Sequence, residues 1–105
     1  MTQVADNRMT DQRIKVYRLT TLLLDAAFEL PTWWCIDQWS REAATAALER
    51  CQRLVRFVED TVSGFGVPED LDESTRATIL FAEAVCRDCQ RDIDVVRYEL
   101  LPIAN

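Results

Sequence analysis

The stretch that decides the fold is TRATILFAEAVCRDCQRDIDVVRYEL, residues 75–100. Within it Thr75, Ile79, Ala82, Cys86, Cys89, Ile93, Val96 and Leu100 follow one another at alternating spacings of four and three. That period places all eight on one face of a long helix, the pattern of a seam laid against other helices. Two thiols sit inside it as Cys86-Arg87-Asp88-Cys89, so a metal or redox motif and a packing surface coincide in the same residues. The two halves of the seam differ. From Thr78 to Cys86 only Glu83 is charged, which predicts a half enclosed by protein. Beyond Cys89 the charges Arg91, Asp92, Asp94, Arg97 and Glu99 leave a one-sided stripe with an acidic outer face.

Upstream, the same period recurs twice. Ile14, Tyr17, Thr21, Leu24 and Phe28, widened by Val16, Leu23 and Ala27, predict a first helix near 10–29. Thr10 is its expected N-cap and Pro31 its stop. Ala43, Ala47, Cys51, Leu54, Val58 and Val62, flanked by Ala44, Leu48 and Val55, predict a second helix near 40–63, capped by Ser40 and ended by Gly64. Glu49–Arg53 and Arg56–Asp60 are i,i+4 pairs on its polar face. Gly64-Phe65-Gly66-Val67-Pro68 reads as the clearest loop. Asp70 with Glu73 three residues on is a capping-box-like start for the third helix, near 71–100. Thr32 to Trp39 holds all three tryptophans, and predicts a short helix near 33–39 whose indoles either fill a corner or mark an interface.

These segments describe one all-α domain over residues 1–105, a small antiparallel bundle of three long helices and one short one. Residues 1–9 and 102–105 are expected to be loose. No stretch has the length and apolarity of a membrane span, so a cytoplasmic protein with reduced cysteines is the expectation.

Composition removes several function classes. The chain has no histidine, which excludes imidazole bases, Cys-His and Ser-His nucleophile pairs and Glu-x-x-His di-iron sites. A net charge of −6 disfavours direct nucleic-acid binding, and the one basic ridge is Arg50, Arg53 and Arg56. Residues 69–105 carry nine acids against four bases, so a basic partner suits the C-terminal part. Four cysteines raise the question of zinc, but Cys35 and Cys51 on one helix would lie roughly 24 Å apart, too far to share a tetrahedral ion. Cys51, Cys86 and Cys89 alone can converge, which leaves a ligand missing. The Cys86–Cys89 pair is mid-helix, away from the dipole that lowers a redox thiol's pKa. Both cysteines read as small hydrophobes in the core.

What remains is a non-enzymatic protein that binds another protein, without a cofactor. The residues expected to do so are Asp88, Asp92, Asp94 and Glu99 on the acidic outer face, with Trp33 and Trp34. The expected partner has a basic surface; the protein itself is a monomer or a homodimer. In size, acidity and helicity the chain resembles the small helical inhibitors encoded by phages, anti-CRISPR proteins among them. That resemblance implies an inhibitor covering the nucleic-acid-binding surface of a protein complex; no motif carries it. Two alternatives belong to other classes. One is a zinc- or redox-active module using Cys51, Cys86 and Cys89. The other is a self-assembling structural protein closed by Phe81, Val85 and the tryptophans.

Overall fold

The computed structural model describes residues 2–65 and 70–105, with side chains from residue 9 onward. Three helices pack pairwise against one another: α1 (Thr2–Phe28), α2 (Arg41–Ser63) and α3 (Glu73–Val95). A short 3-10 turn, Ile36–Gln38, lies between α1 and α2. A π-turn, Val96–Leu100, and a 3-10 turn, Leu101–Ile103, prolong α3 to the C-terminus. No strand occurs among the described residues.

The α3 seam is the one the sequence spells out. Thr75, Ala82, Cys86, Cys89, Ile93, Val96 and Leu100 are all buried, and Ile79 is half-buried. The start of the helix differs from the expected capping box. Asp72, rather than Asp70, is the N-cap, its Oδ1 accepting the Thr75 N–H at 2.6 Å. Val67, Pro68 and the rest of 66–69 lie outside the described residues, so only Gly64-Phe65 of the expected loop is seen. The Thr78–Cys86 half is not enclosed, contrary to the expectation from its apolar composition. Leu80 is 66% and Phe81 41% exposed, because α1 and α2 together cover only one side of this helix. At the other end Pro102 cannot continue an α-helix, since its ring would meet the Tyr98 carbonyl. The chain widens there: the Leu101 N–H reaches back to the Val96 carbonyl. Val96 and Leu100 both stay buried through the widened turn.

Ser40 caps α2 as expected, accepting the Ala43 N–H at 3.1 Å. The buried face is rotated from the predicted one. Ala44, Leu48, Cys51, Val55 and Val58 are buried, whereas Ala43 is exposed and Ala47, Leu54 and Val62 are half-buried. Two overlapping seams share Cys51 and Val58. The one that wins buries Leu48 and Val55, while the loser would have led with two alanines. Burial scales with apolar area, so the larger side chains set the rotation.

The same correction applies to α1. Val16, Thr20, Leu23 and Ala26 are buried, with Leu30 just beyond the helix end. Ile14, Tyr17, Thr21 and Phe28 are exposed and Leu24 is half-buried. Thr20 occupies a core position because its hydroxyl donates to the Val16 carbonyl at 2.7 Å, which leaves no polar group unpaired. The helix also begins earlier than expected, so Thr10 is an interior residue, and 2–9 is helical where a loose segment was expected. Arg13 lies 4.0 Å from Asp72 at the start of α3, so the first turns of α1 run on past that end of the bundle. The molecule is 58 Å long and 19 Å across, longer than the ~40 Å of its longest helix, as such an offset requires.

The C-terminal residues are tied down, not loose. Ala104 is buried, its carbonyl accepts from Arg41 at 3.4 Å, and Asn105 Nδ2 donates to the Asp37 carbonyl at 3.0 Å. The tail thereby fixes the Ile36–Gln38 turn to the start of α2. Residues 33–35 form turns, so the predicted short helix shrinks to Ile36–Gln38.

Candidate protein-binding site

The turn after α1 positions the indoles. Pro31 is buried and stops α1, and Ile36 anchors the other end of the turn in the core. Between them Thr32 is locked to Cys35: its N–H donates to Cys35 Sγ at 3.4 Å, and its Oγ1 lies 3.0 Å from the same sulfur. With both ends held, Trp33 and Trp34 are pushed outward, 54% and 84% exposed. Trp39 instead packs half-buried against the core. Of the three tryptophans, one thus fills the corner and two are exposed.

Trp33 and Trp34 line a groove of about 400 Å³ between the C-terminal end of α1 and that of α3. Phe28, 89% exposed, stands on its α1 side, and Val95 and Asp92 on its α3 side. Asp92 is the one ionisable group among the described residues that line it. The structure therefore brings together three of the six expected site residues, Trp33, Trp34 and Asp92. Asp88, one turn before Asp92 on α3, and Glu99, on the π-turn, are also exposed but do not line the groove. Neither Asp88 nor Asp92 is in an ion pair among the described residues.

Asp94 is placed elsewhere, facing α2. Its Oδ1 accepts from Gln90 Nε2 at 3.1 Å and lies 3.8 Å from Arg97. Gln90 and Gln52 exchange amide hydrogen bonds at 3.2 and 3.3 Å, and Arg97 donates to Gln52 at 3.4 Å. This part-buried network joins α2 to α3. Two positions along a helix turn a side chain through about 200°, so Asp92 and Asp94 cannot share a face.

Cys51, Cys86 and Cys89 are free buried thiols, and Cys35 is a half-buried one. Cys51 and Cys89 meet across α2 and α3. Hydrogen bonding from the Cys89 thiol favours ionisation of Cys51 and pushes Cys89 upward, with burial adding to the rise. Burial pushes Cys86 up to about 11, with Glu59 and Glu83 adding to it. The surroundings hold Cys86 and Cys89 as neutral thiols. Among the described residues no group of three or more His, Cys, Asp or Glu is arranged to hold a metal ion. Cys35 is the contrast: the Thr32 hydroxyl and then its backbone N–H lower it.

The basic ridge is partly spent on the fold, with Arg50 paired to Glu29 of the α1 end at 3.2 Å. The Glu49–Arg53 and Arg56–Asp60 pairs do not form. Arg53 instead lies beside exposed Leu22 and Phe57. Phe28 is the site residue that sequence reasoning assigned to the core. Its position directly before the Glu29-Leu30-Pro31 stop was the available signal, because a helix's last turn has fewer neighbours. No helix is long and apolar enough to cross a membrane among the described residues. Compared with protein-family models, with curated proteins and with solved structures, the chain matches none.

Proposed function

We propose that this chain is a non-enzymatic protein that acts by binding another protein, as a small inhibitor or regulator, through the groove of Phe28, Trp33, Trp34 and Asp92. The observation that carries the reading is two adjacent indoles held outward by a turn anchored at both ends, beside a carboxylate with no ion-pair partner among the described residues. Contiguous exposed apolar surface marks an interaction site more often than scattered single residues do. A fully buried aromatic side chain removes ~150–250 Å² from water. At ~25 cal/mol per Å², covering what is exposed of Trp34 (84%) and Trp33 (54%) is worth roughly 3–5 and 2–3 kcal/mol before the costs of association. An exposed ion pair is worth about 0.2–1 kcal/mol. Affinity therefore comes from the aromatic anchors, while Asp92 and the acidic surface around it select a basic partner and speed encounter.

The bundle behind the site is read as antiparallel. Support comes from residue pairs across α2 and α3: Arg41 with Ala104, Gln52 with Gln90, and Cys51 with Cys89. From Arg41–Ala104 to the neighbouring Cys51–Cys89 and Gln52–Gln90 pairs, the α2 number rises while its partner's falls. The wider proposal, a cytoplasmic phage-type inhibitor that covers a nucleic-acid-binding surface, is supported by size, acidity and helicity.

Affinity capture from the native host with tagged protein tests the reading. A stoichiometric protein partner is expected, lost with Trp34→Ala and with Asp92→Arg and kept with Asp60→Arg on α2. Circular dichroism should show all three variants folded. Capture indifferent to Trp34 and Asp92 would place the binding face elsewhere.

A further inference from the structure

We infer that the groove receives an arginine side chain of the protein partner, its guanidinium set against the indoles of Trp33 and Trp34 and hydrogen-bonded to Asp92. This deepens the protein-binding reading above and rests on it.

Three features of the groove narrow the occupant. Its walls are apolar and aromatic, which suits a side chain with a long methylene stem. Its one ionisable lining group is an anion, Asp92, and no cation is paired to it, both among the described residues. Two of its three exposed aromatic rings, beside Phe28, are indoles, the rings that attract a cation most strongly. A neutral apolar segment would fill the walls but bury Asp92 without a partner, which is costly. An acidic segment would meet the carboxylate as well as the charge excess of residues 69–105.

Arginine is favoured over lysine by geometry. A guanidinium is planar and weakly hydrated, so it lies flat on an indole while its N–H fork donates sideways to a carboxylate. An ammonium is a compact, strongly hydrated point charge. It gains most of its attraction from Asp92 and loses hydration when pressed onto a ring. A second copy of this chain is a weaker occupant, because two copies that each carry a net charge of −6 repel.

The test compares two probes of equal charge, tetra-arginine amide and tetra-lysine amide, added to the isotope-labelled full chain at one fixed ionic strength. Saturable shifts are expected at the Trp33 and Trp34 indole N–H signals and at the Asp92 amide, with the arginine probe binding about fivefold tighter or more. Asp92→Asn should weaken it by about threefold or more, while Asp60→Asn, the same change of net charge on α2, leaves it unchanged. Equal affinity for both probes, or shifts centred away from the indoles, overturns the inference. So does sedimentation showing a dimer that Trp34→Ala dissolves, since a second copy is then the occupant. The two readings fail separately. A captured partner that needs Trp34, yet survives Asp92→Asn and is not displaced by tetra-arginine, removes the arginine and keeps the protein-binding function. Arginine-selective binding with no partner captured does the reverse.

Discussion

Tyr17 of α1 stacks on Phe81 of α3, with ring centroids 6.4 Å apart and planes inclined by 29°. Both rings are substantially exposed, at 59% and 41%. The pair closes the outer edge of the α1–α3 contact, so the stripe Ile14-Tyr17-Thr21-Leu24-Phe28 is an edge and not a core. Offset aromatic pairs contribute about 0.5–1.5 kcal/mol beyond their area. A double-mutant cycle of Tyr17→Ala and Phe81→Ala, read by urea unfolding, should return a coupling within that range. A coupling near zero would mean that the rings do not hold the edge in solution.

The rotation of α2 separates two adjacent alanines. Ala44 is fully buried and Ala43 exposed. Ala44→Leu should destabilise by about 1–3 kcal/mol through overpacking. Ala43→Leu should stay within about 0.5 kcal/mol of the parent. The reverse order would restore the seam expected from the sequence.

The thiols should react in an order set by exposure and by charge stabilisation. Cys35 is half-buried and lowered by Thr32, whereas Cys51, Cys86 and Cys89 are buried. Iodoacetamide on the native chain should alkylate Cys35 first, with the other three modified only after unfolding. Thr32→Val should slow that reaction. Mass spectrometry of the modified peptides reads both results.

Cys86 gives the alkaline limb of stability its sign. Its thiol is raised in the folded state to about 11, above the ~8.5 of an unfolded chain. A raised group favours the fold fully below its unfolded pKa and loses that contribution as pH climbs through the folded one. The urea midpoint should therefore fall between about pH 8.5 and 11, less steeply in Cys86→Ala.

Asp72 governs the opposite limb. The side chain and then the backbone N–H of Thr75 hold its carboxyl below the usual aspartate value. The buried Thr75 hydroxyl has no hydrogen-bond partner among the described residues, so the 2.6 Å N–H contact is the structural link. A depressed carboxyl contributes stability above its unfolded pKa and loses it as pH falls through the folded value. Below about pH 4 the parent should lose stability, and Asp72→Asn should lose less because no charge remains to be protonated.

How far the sequence could be read varied with how one-sided each helix is. α3 carries charges after Cys89 on every side but one, so its period leaves a single buried face, and that face is the observed one. The Ser40 cap and the Pro31 stop were equally legible because each acts on its own backbone within one turn. Asp72 was missed in favour of Asp70 because both precede acids and hydroxyls at capping distance. Only the path of the chain into α3 distinguishes them. The acidic face was legible as a charge excess, yet Asp94 was grouped with Asp92 on sequence proximity, which the helical turn undoes.

By itself, then, the sequence determined a histidine-free, acidic, three-helix chain with its α3 seam and its stops. Tertiary structure decided the rotations of α1 and α2. A helix with apolar residues nearly all round has several seams of similar hydrophobicity, and only the area gained against neighbours chooses among them. It also decided the site. Trp34 and Asp92 belong to a turn and a helix with no sequence relation. They line one groove because α1 and α3 end side by side, and no local period records which ends of two helices will be neighbours.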